Sequence, residues 1–268
     1  MRLVVCSEAD PASMNIRAAL LALAPWRDDG VFEGSPVHRH PPLVLVTLRD
    51  DHLHRDQVDL AIGEALGERP ETVIYASRHR SGAGRRALTT HPIGNFGEAR
   101  YGGKSGTLVP AAPAMMSSLL RGLRKAAAGM PLETTLECTH HGPYLETPTC
   151  YIEVGSDETG WRDAEAAAAV ARAILACEAS GRPVAIGFGG GHYVPRMTDL
   201  AAQGTYDLGH MASVHDIEAA GAKAVDMALA ATPGAAHAVF QTRASDREAH
   251  EALRERARSL GLAILEPP

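Results

Sequence analysis

P-V-A-I-G-F-G-G-G-H, Pro183 to His192, is a short apolar run that empties into three glycines and a histidine. Six apolar residues followed by chain-breaking glycines predict a buried strand over 183–188. In open α/β sheets ligands gather beyond the carboxyl ends of strands, where the glycines and His192 fall. Their N–H groups suit a nest for an oxyanion or a phosphate, or simply a tight turn. The dinucleotide fingerprint G-x-G-x-x-G is not met, because His192 stands at the third glycine position. Similar β-rich runs recur at Leu3–Cys6, Leu43–Leu48, Thr72–Ala76 and Ala238–Gln241.

Helical patterns fall between these runs. Asp10 is placed to cap a helix that has Pro11 at its first position. Val170, Ala173, Ile174 and Cys177 follow the spacing of a buried helical stripe. Ser245 to Glu248 reads as a capping box before a last helix with Ala249, Leu253, Ala257 and Leu260 turned inward. Alternation of this kind predicts an α/β fold. With no internal repeat and no long linker, residues 1–268 read as a single compact domain. Segment 81–86 is expected to be an exposed basic loop, and 102–113 to wrap the surface.

An apolar fraction of 45% and a charged fraction of 22% describe an ordinary globular chain. No window approaches the ~20 continuous apolar residues of a membrane span. The N-terminus meets Glu8 and Asp10 too early for a signal peptide, so the expectation is a cytoplasmic protein. A net charge of −6 argues against a protein that coats DNA or RNA non-specifically. Aromatic content of 4% gives no basis for a base-stacking platform of the single-strand-binding kind. Cys6, Cys138, Cys150 and Cys177 show no C-x-x-C spacing and read as small buried hydrophobes.

Four islands carry the chemistry: S-R-H-R-S (77–81), L-T-T-H-P-I-G-N-F (88–96), E-C-T-H-H-G-P (137–143) and G-F-G-G-G-H-Y-V-P-R (187–196). A fifth, G-E-A-R-Y-G-G-K-S (97–105), imitates a phosphate-binding P-loop. An extra glycine separates Gly102 from Lys104, which re-aims the lysine and speaks against nucleotide hydrolysis. In a regular strand Glu137 and His141 would lie ~13 Å apart, too far for one metal ion. Either the strand ends near Thr139 and the chain turns, or His140 and His141 serve different tasks. There is no H-E-x-x-H and no G-x-S-x-G, which leaves hydrolysis by a water activated by metal or histidine.

These islands, with V-V-C-S-E-A-D-P-A-S-M-N-I (4–16), C-Y-I-E-V-G-S-D-E-T-G-W (150–161), G-G-G-H-Y-V-P-R-M-T-D (189–199) and G-H-M (209–211), resemble the archaeal and plant type of D-aminoacyl-tRNA deacylase. The resemblance runs from Val4 to about His215. It implies a zinc-dependent, monomeric enzyme that frees D-amino acids from the CCA end of tRNA, including adducts with a small aldehyde on the amine. It also implies a three-layer α/β sandwich with a mixed, mainly parallel sheet, similar to phosphorylases and peptidyl-tRNA hydrolase. Two positions depart from the family pattern: Cys138, where Ala is expected, and Gly191, where Thr is expected.

On this basis Glu137, His141 and His192 are expected to surround the ester, holding Zn2+ or polarising a water directly. His140 or His79 supplies the proton to the departing ribose oxygen. Asn95 bonds the ester carbonyl or the terminal adenosine, and Arg78 and Arg80 hold phosphates of the CCA end. His91 and Arg196 complete the substrate-binding set, and Gly189, Gly190 and Gly191 are the candidate wall that excludes L-amino acids. Two other readings stay open: a zinc-dependent amidase or peptidase on small D-aminoacyl substrates, and a non-catalytic protein that binds the end of tRNA. No membrane or DNA partner is expected.

Overall fold

β1 (Arg2–Ser7) is apolar on both faces, and each face enters a different core. Val4 and Cys6 join the cluster built with helices on one side of a large sheet, whereas Leu3 and Val5 join the cluster on the other side. That alternation follows from the two-residue period of a strand, and it makes this sheet the middle layer of three. The computed structural model describes residues 1–81, 84–179, 181–241 and 247–265, with side chains from 250 onward in the last stretch.

The strands after β1 are β2 (Arg27–Phe32), β3 (Ser35–His40), β4 (Leu43–Leu48), β5 (Thr72–Arg78), β6 (Ala87–His91), β7 (Gly94–Asn95), β8 (Thr107–Leu108), β9 (Glu133–Leu136), β10 (Thr149–Gly155), β11 (Val184–Gly189), β12 (Asp207–Ala212), β13 (Ala235–Gln241) and β14 (Ala263–Leu265). The helices are α1 (Pro11–Leu23), α2 (Val58–Leu66), α3 (Pro113–Ala126), α4 (Glu158–Trp161), α5 (Ala164–Leu175), α6 (Pro195–Gln203), α7 (Val214–Ala220), α8 (Lys223–Ala230) and α9 (Arg247–Ser259). The large sheet has the order β2-β3-β4-β1-β5-β10-β6-β9. It is mixed: β1, β4, β5 and β10 run parallel, while the β2–β3, β3–β4 and β6–β10 pairs are antiparallel. The expected mixed, mainly parallel α/β architecture is therefore present.

One expectation is refined. The run at 183–188 does not join the large sheet but forms β11 of a second, all-parallel sheet ordered β12-β11-β13-β14. The two sheets share an apolar cluster that runs from Val4 of β1 to Leu208 of β12 and Val239 of β13. Helix α3 lies between them, and its Ser117 hydroxyl accepts the Leu208 N–H. Segment 102–113 does not simply wrap the surface. After β8 it dives inward, burying Val109, Ala111 and Ala112 where the sheets meet.

Local signals explain the rest. Asp10 accepts the Ala12 and Ser13 N–H groups at 2.9 and 3.0 Å, the expected cap of α1. The expected stripe on α5 is buried, with Cys177 lying just past the helix end. Leu253 and Ala257 are buried on α9 as its spacing implies, while Ser245 of the expected capping box lies outside the described residues. All four cysteines are free and buried, and burial pushes the Cys6 thiol up to about 12. Of the expected loop 81–86, residues 84–86 are exposed and 82–83 are not described. Among the described residues no helix is long and apolar enough to cross a membrane.

Candidate functional site

A polar hollow opens beyond the carboxyl ends of β1, β4 and β5. It is a cavity of about 560 Å³ lined by residues including Asp10, His52, Arg78, Arg80, Tyr101 and Glu153. His79, His140, His141 and His192 also face it. Four segments that are distant in sequence meet here because the two sheets abut.

Glu137 lies at the junction. β9 ends at Leu136, and the next residues cross from one sheet to the other. Glu137 N–H donates to Thr90 O, Cys138 N–H to His192 O and Thr139 N–H to Met211 O, at 3.1, 2.9 and 2.8 Å. Of the two sequence alternatives the chain takes the early stop, and His141, at φ +46°, supplies the turn. Thr139 and His210 lock this crossing. Thr139 Oγ1 accepts the Met211 N–H at 3.0 Å and meets His210 Nδ1 at 3.0 Å, so His210 Nε2–H donates to Val109 O at 2.8 Å. Burial drives the His210 pKa down to about 4, which keeps the ring neutral in this role.

The Glu137 carboxylate is completely inaccessible to solvent. His79 Nδ1 lies 2.9 Å from its Oε1, and His192 Nε2 lies 3.0 Å from its Oε2. His140 Nε2 stands 3.6 Å from the same Oε2. None of these nitrogens has hydrogen-bond alignment, and both oxygens are left without a hydrogen-bond partner. Burial would raise the Glu137 pKa, but His192 and His79 outweigh it and hold the carboxyl well below its usual range. His192 is the accessible member of the group, with 41% of its side chain exposed.

A second carboxylate, Glu153 of β10, lies beneath. It sits 3.7 Å from His79 Nδ1 and 3.5 Å from His91 Nε2. For both imidazoles burial lowers the pKa, and the carboxylates more than reverse it: Glu137 first for His79, Glu153 first for His91. His140 and His141 go the other way. Burial pushes both pKa values well below the usual histidine range, and the neighbouring imidazoles add to it. Each spends Nδ1 on a carbonyl, His140 on Cys138 O at 2.8 Å and His141 on Gly142 O at 2.7 Å. Neutral rings with Nδ1–H so engaged carry their lone pair on Nε2.

Several sequence expectations change. His141 does not group with Glu137 and His192; one nitrogen of His141 converges instead with one each from His91 and His140. His79 takes its place, so the tight donor set is His79, Glu137 and His192, all within 4.8 Å of one another. Asn95 is not directed at a substrate carbonyl: its amide donates to Gly102 O at 3.1 Å and Lys104 O at 3.5 Å, holding the 97–106 loop. Arg196 lies elsewhere, donating to Gln241 Oε1 and Leu265 O beside a different cavity. Gly189, Gly190 and Gly191 do not line the 560 Å³ cavity. A Cβ on Gly189 would collide with the Gln241 carbonyl, so packing against β13 already requires that glycine. His91 is fully buried and braces the site from below. Arg78 and Arg80 do line the cavity, with their guanidinium carbons 5.5 and 5.9 Å from the Trp161 ring.

Sequence reasoning missed Glu153, Tyr193, Trp161 and Tyr101. Tyr193 OH meets His79 Nε2 at 2.8 Å, and Trp161 Nε1–H donates to His79 O at 2.9 Å, so both fix His79. The overlooked signal for Glu153 is an acid inside an otherwise apolar, wholly buried strand.

Fold and site together describe an α/β protein whose central feature is a buried carboxylate ringed by histidines. The D-aminoacyl-tRNA deacylase family profile matches residues 66–265. A protein named D-aminoacyl-tRNA deacylase from Methanosarcina mazei is 36% identical over 98% of this chain and 91% of its own length. Another of that name, from Methanococcoides burtonii, is 39% identical over 77% of this chain, and the match spans 44% of that longer relative. A solved crystal structure, described as a conserved protein of unknown function, superposes with a TM-score of 0.89 at 31% identity, covering 99% of this chain and 94% of the other. The chain belongs to the D-aminoacyl-tRNA deacylase family.

Proposed function

We propose that this chain hydrolyses the ester between a D-amino acid and the terminal ribose of tRNA, releasing both, in the compartment that holds charged tRNA, the cytoplasm. The observation that carries the catalytic reading is Glu137: fully buried, charged, and crowded by two imidazole nitrogens at 2.9 and 3.0 Å without hydrogen-bond alignment. Burying a carboxylate is costly unless it is compensated. Three donor atoms within 4.8 Å of one another, with both carboxylate oxygens lacking a hydrogen-bond partner, fit the nitrogen and oxygen ligands of Zn2+. His79, Glu137 and His192 would hold the ion, which when bound polarises a carbonyl and acidifies a water.

The chain's own residues supply proton handling. Neutral His140 presents Nε2 beside Glu137, where it takes a proton from the attacking water. The imidazolium so formed faces the Glu137 carboxylate, which stabilises it. As the ester C–O bond breaks, the same proton passes to the departing ribose oxygen. Tyr193 and Trp161 keep His79 in place, and Arg78 and Arg80 offer charge to the phosphates of the CCA end.

The test is release of D-tyrosine and L-tyrosine from their tRNA esters, together with the metal content of the purified protein and of a Glu137→Gln variant. Loss of the D ester alone, abolished by chelation and restored by zinc, with less bound metal in the variant, is the expected result. Release of neither ester ends the deacylase reading. Full activity after exhaustive chelation ends the zinc assignment.

A further inference from the structure

The P-loop look-alike at 97–105 has a use that phosphate binding does not describe. Its backbone is clamped at the site. Gly142 N–H donates to Tyr101 O at 3.0 Å, Gly106 N–H donates to Gly97 O at 2.7 Å, and the Asn95 amide holds Gly102 O and Lys104 O. A Cβ on Gly102 would collide with the Leu53 carbonyl, so the loop is pressed onto the His52–His54 turn. Lys104 Nζ packs 3.5 Å from the centre of the Tyr144 ring.

What the clamped loop presents is Tyr101, with 68% of its surface exposed. It lines the 560 Å³ cavity and also a second cavity of about 350 Å³, and His140 and His141 are shared by both. Leu23 and Val31, the other exposed large apolar side chains among the described residues, line neither cavity. An aromatic face exposed to water on a clamped loop beside the candidate centre is costly to leave bare and well suited to stacking on a base. Cations complete the setting: Arg78 and Arg80 line the same cavity, and among the described residues no carboxylate lies within ion-pair distance of either. The nearby Asp10 spends its oxygens on the N–H groups of Ala12, Ser13 and Arg78.

We infer that Tyr101 is the stacking platform for the terminal adenine of the tRNA substrate. The inference rests on the deacylase reading and deepens it. The amino acid varies from one charged tRNA to the next, whereas the terminal adenosine is common to all. A platform for that base positions the ester at Glu137 without reading the side chain. One base on one aromatic ring also agrees with the low aromatic content, which excludes only an extended array.

The experiment compares wild type with Tyr101→Ala and Tyr101→Phe on D-tyrosyl-tRNA and on D-tyrosine methyl ester, which lacks the base. Base–aromatic stacking predicts a KM for the tRNA ester raised about 10- to 100-fold by Tyr101→Ala, with kcat within about threefold of wild type. Tyr101→Phe restores the wild-type KM, and hydrolysis of the methyl ester is the same for all three proteins. Because the loop is held through the Tyr101 backbone carbonyl, thermal melting should be unchanged, which separates stacking from a structural role. An unchanged KM for Tyr101→Ala overturns the inference while leaving the deacylase reading intact. Should wild type cleave neither ester, the deacylase reading fails. Titration of the free CCA trinucleotide then judges Tyr101 by itself, with equal affinity for wild type and Tyr101→Ala counting against it.

Discussion

His79 and His91 differ from His140 and His141 in one respect that decides their chemistry. The first pair each face a carboxylate, and their pKa values are raised in spite of burial. His141 faces other imidazoles and a backbone carbonyl, and for His140 burial and the neighbouring His91 outweigh the Glu137 carboxylate at 3.6 Å, so both pKa values fall well below the usual range. All four rings lie within one cluster, with the His91 and His140 centroids 4.1 Å apart. Burial alone would have made them alike. The two buried carboxylates favour the charged form of His79 and His91, while burial and the neighbouring imidazoles favour the neutral form of His140 and His141.

The largest effect should come from removing the group that creates this division. Glu137→Gln is expected to lower kcat/KM on the D ester by at least about 10³-fold, with His79 losing its raised pKa. A loss below tenfold would mean the carboxylate does not organise the centre. His140→Ala should lower kcat by about 10²- to 10³-fold with a smaller change in KM, the behaviour of a proton-transfer group. His91→Asn, at a ring buried beneath the cavity, should act mainly on stability. If the two variants showed the reverse pattern, the assigned roles would have to be exchanged.

A stability effect is expected from the clip between the sheets. The folded His210 pKa, about 4, lies below its unfolded value of 6.5, so the unfolded chain binds the extra proton in that window. The contribution is thus fully present above 6.5 and is lost as pH falls towards 4, amounting to about 3 kcal/mol. Denaturant titrations of wild type and His210→Gln across pH 4–7 measure it. The variant should show a flatter dependence on pH, and parallel curves would contradict the account. The smallest effect is expected at Gly191. A Cβ there meets nothing within 4 Å, so Gly191→Thr, towards the residue expected at that position, should change stability by less than about 0.5 kcal/mol. A large change would show that the glycine is needed after all.

Much of the fold was legible because its signals are local. The apolar runs became β1, β4, β5, β11 and β13, and Asp10 with Pro11 opened α1 as expected. The division into two sheets was hidden, since β11 reads the same whichever partners it pairs with. At the site, the islands containing His79, Glu137, His140 and His192 were legible from composition and did converge. Their grouping was not. His79 replaces His141 beside Glu137 because His141 turns at a positive φ, which the adjacent Gly-Pro only hints at. Asn95 looked like a ligand because its partners, the Gly102 and Lys104 carbonyls, are backbone atoms that leave no mark in the side-chain sequence. Glu153 gains its role only through the pairing of β10 with β5 and β6.

The division within the histidine cluster can be read directly by nitrogen NMR of the imidazole rings in metal-free protein at pH 6.5. His79 should be protonated and His140 neutral, with its proton on Nδ1, in the same sample. A protonated His140, or a His79 as neutral as His140, would contradict that division.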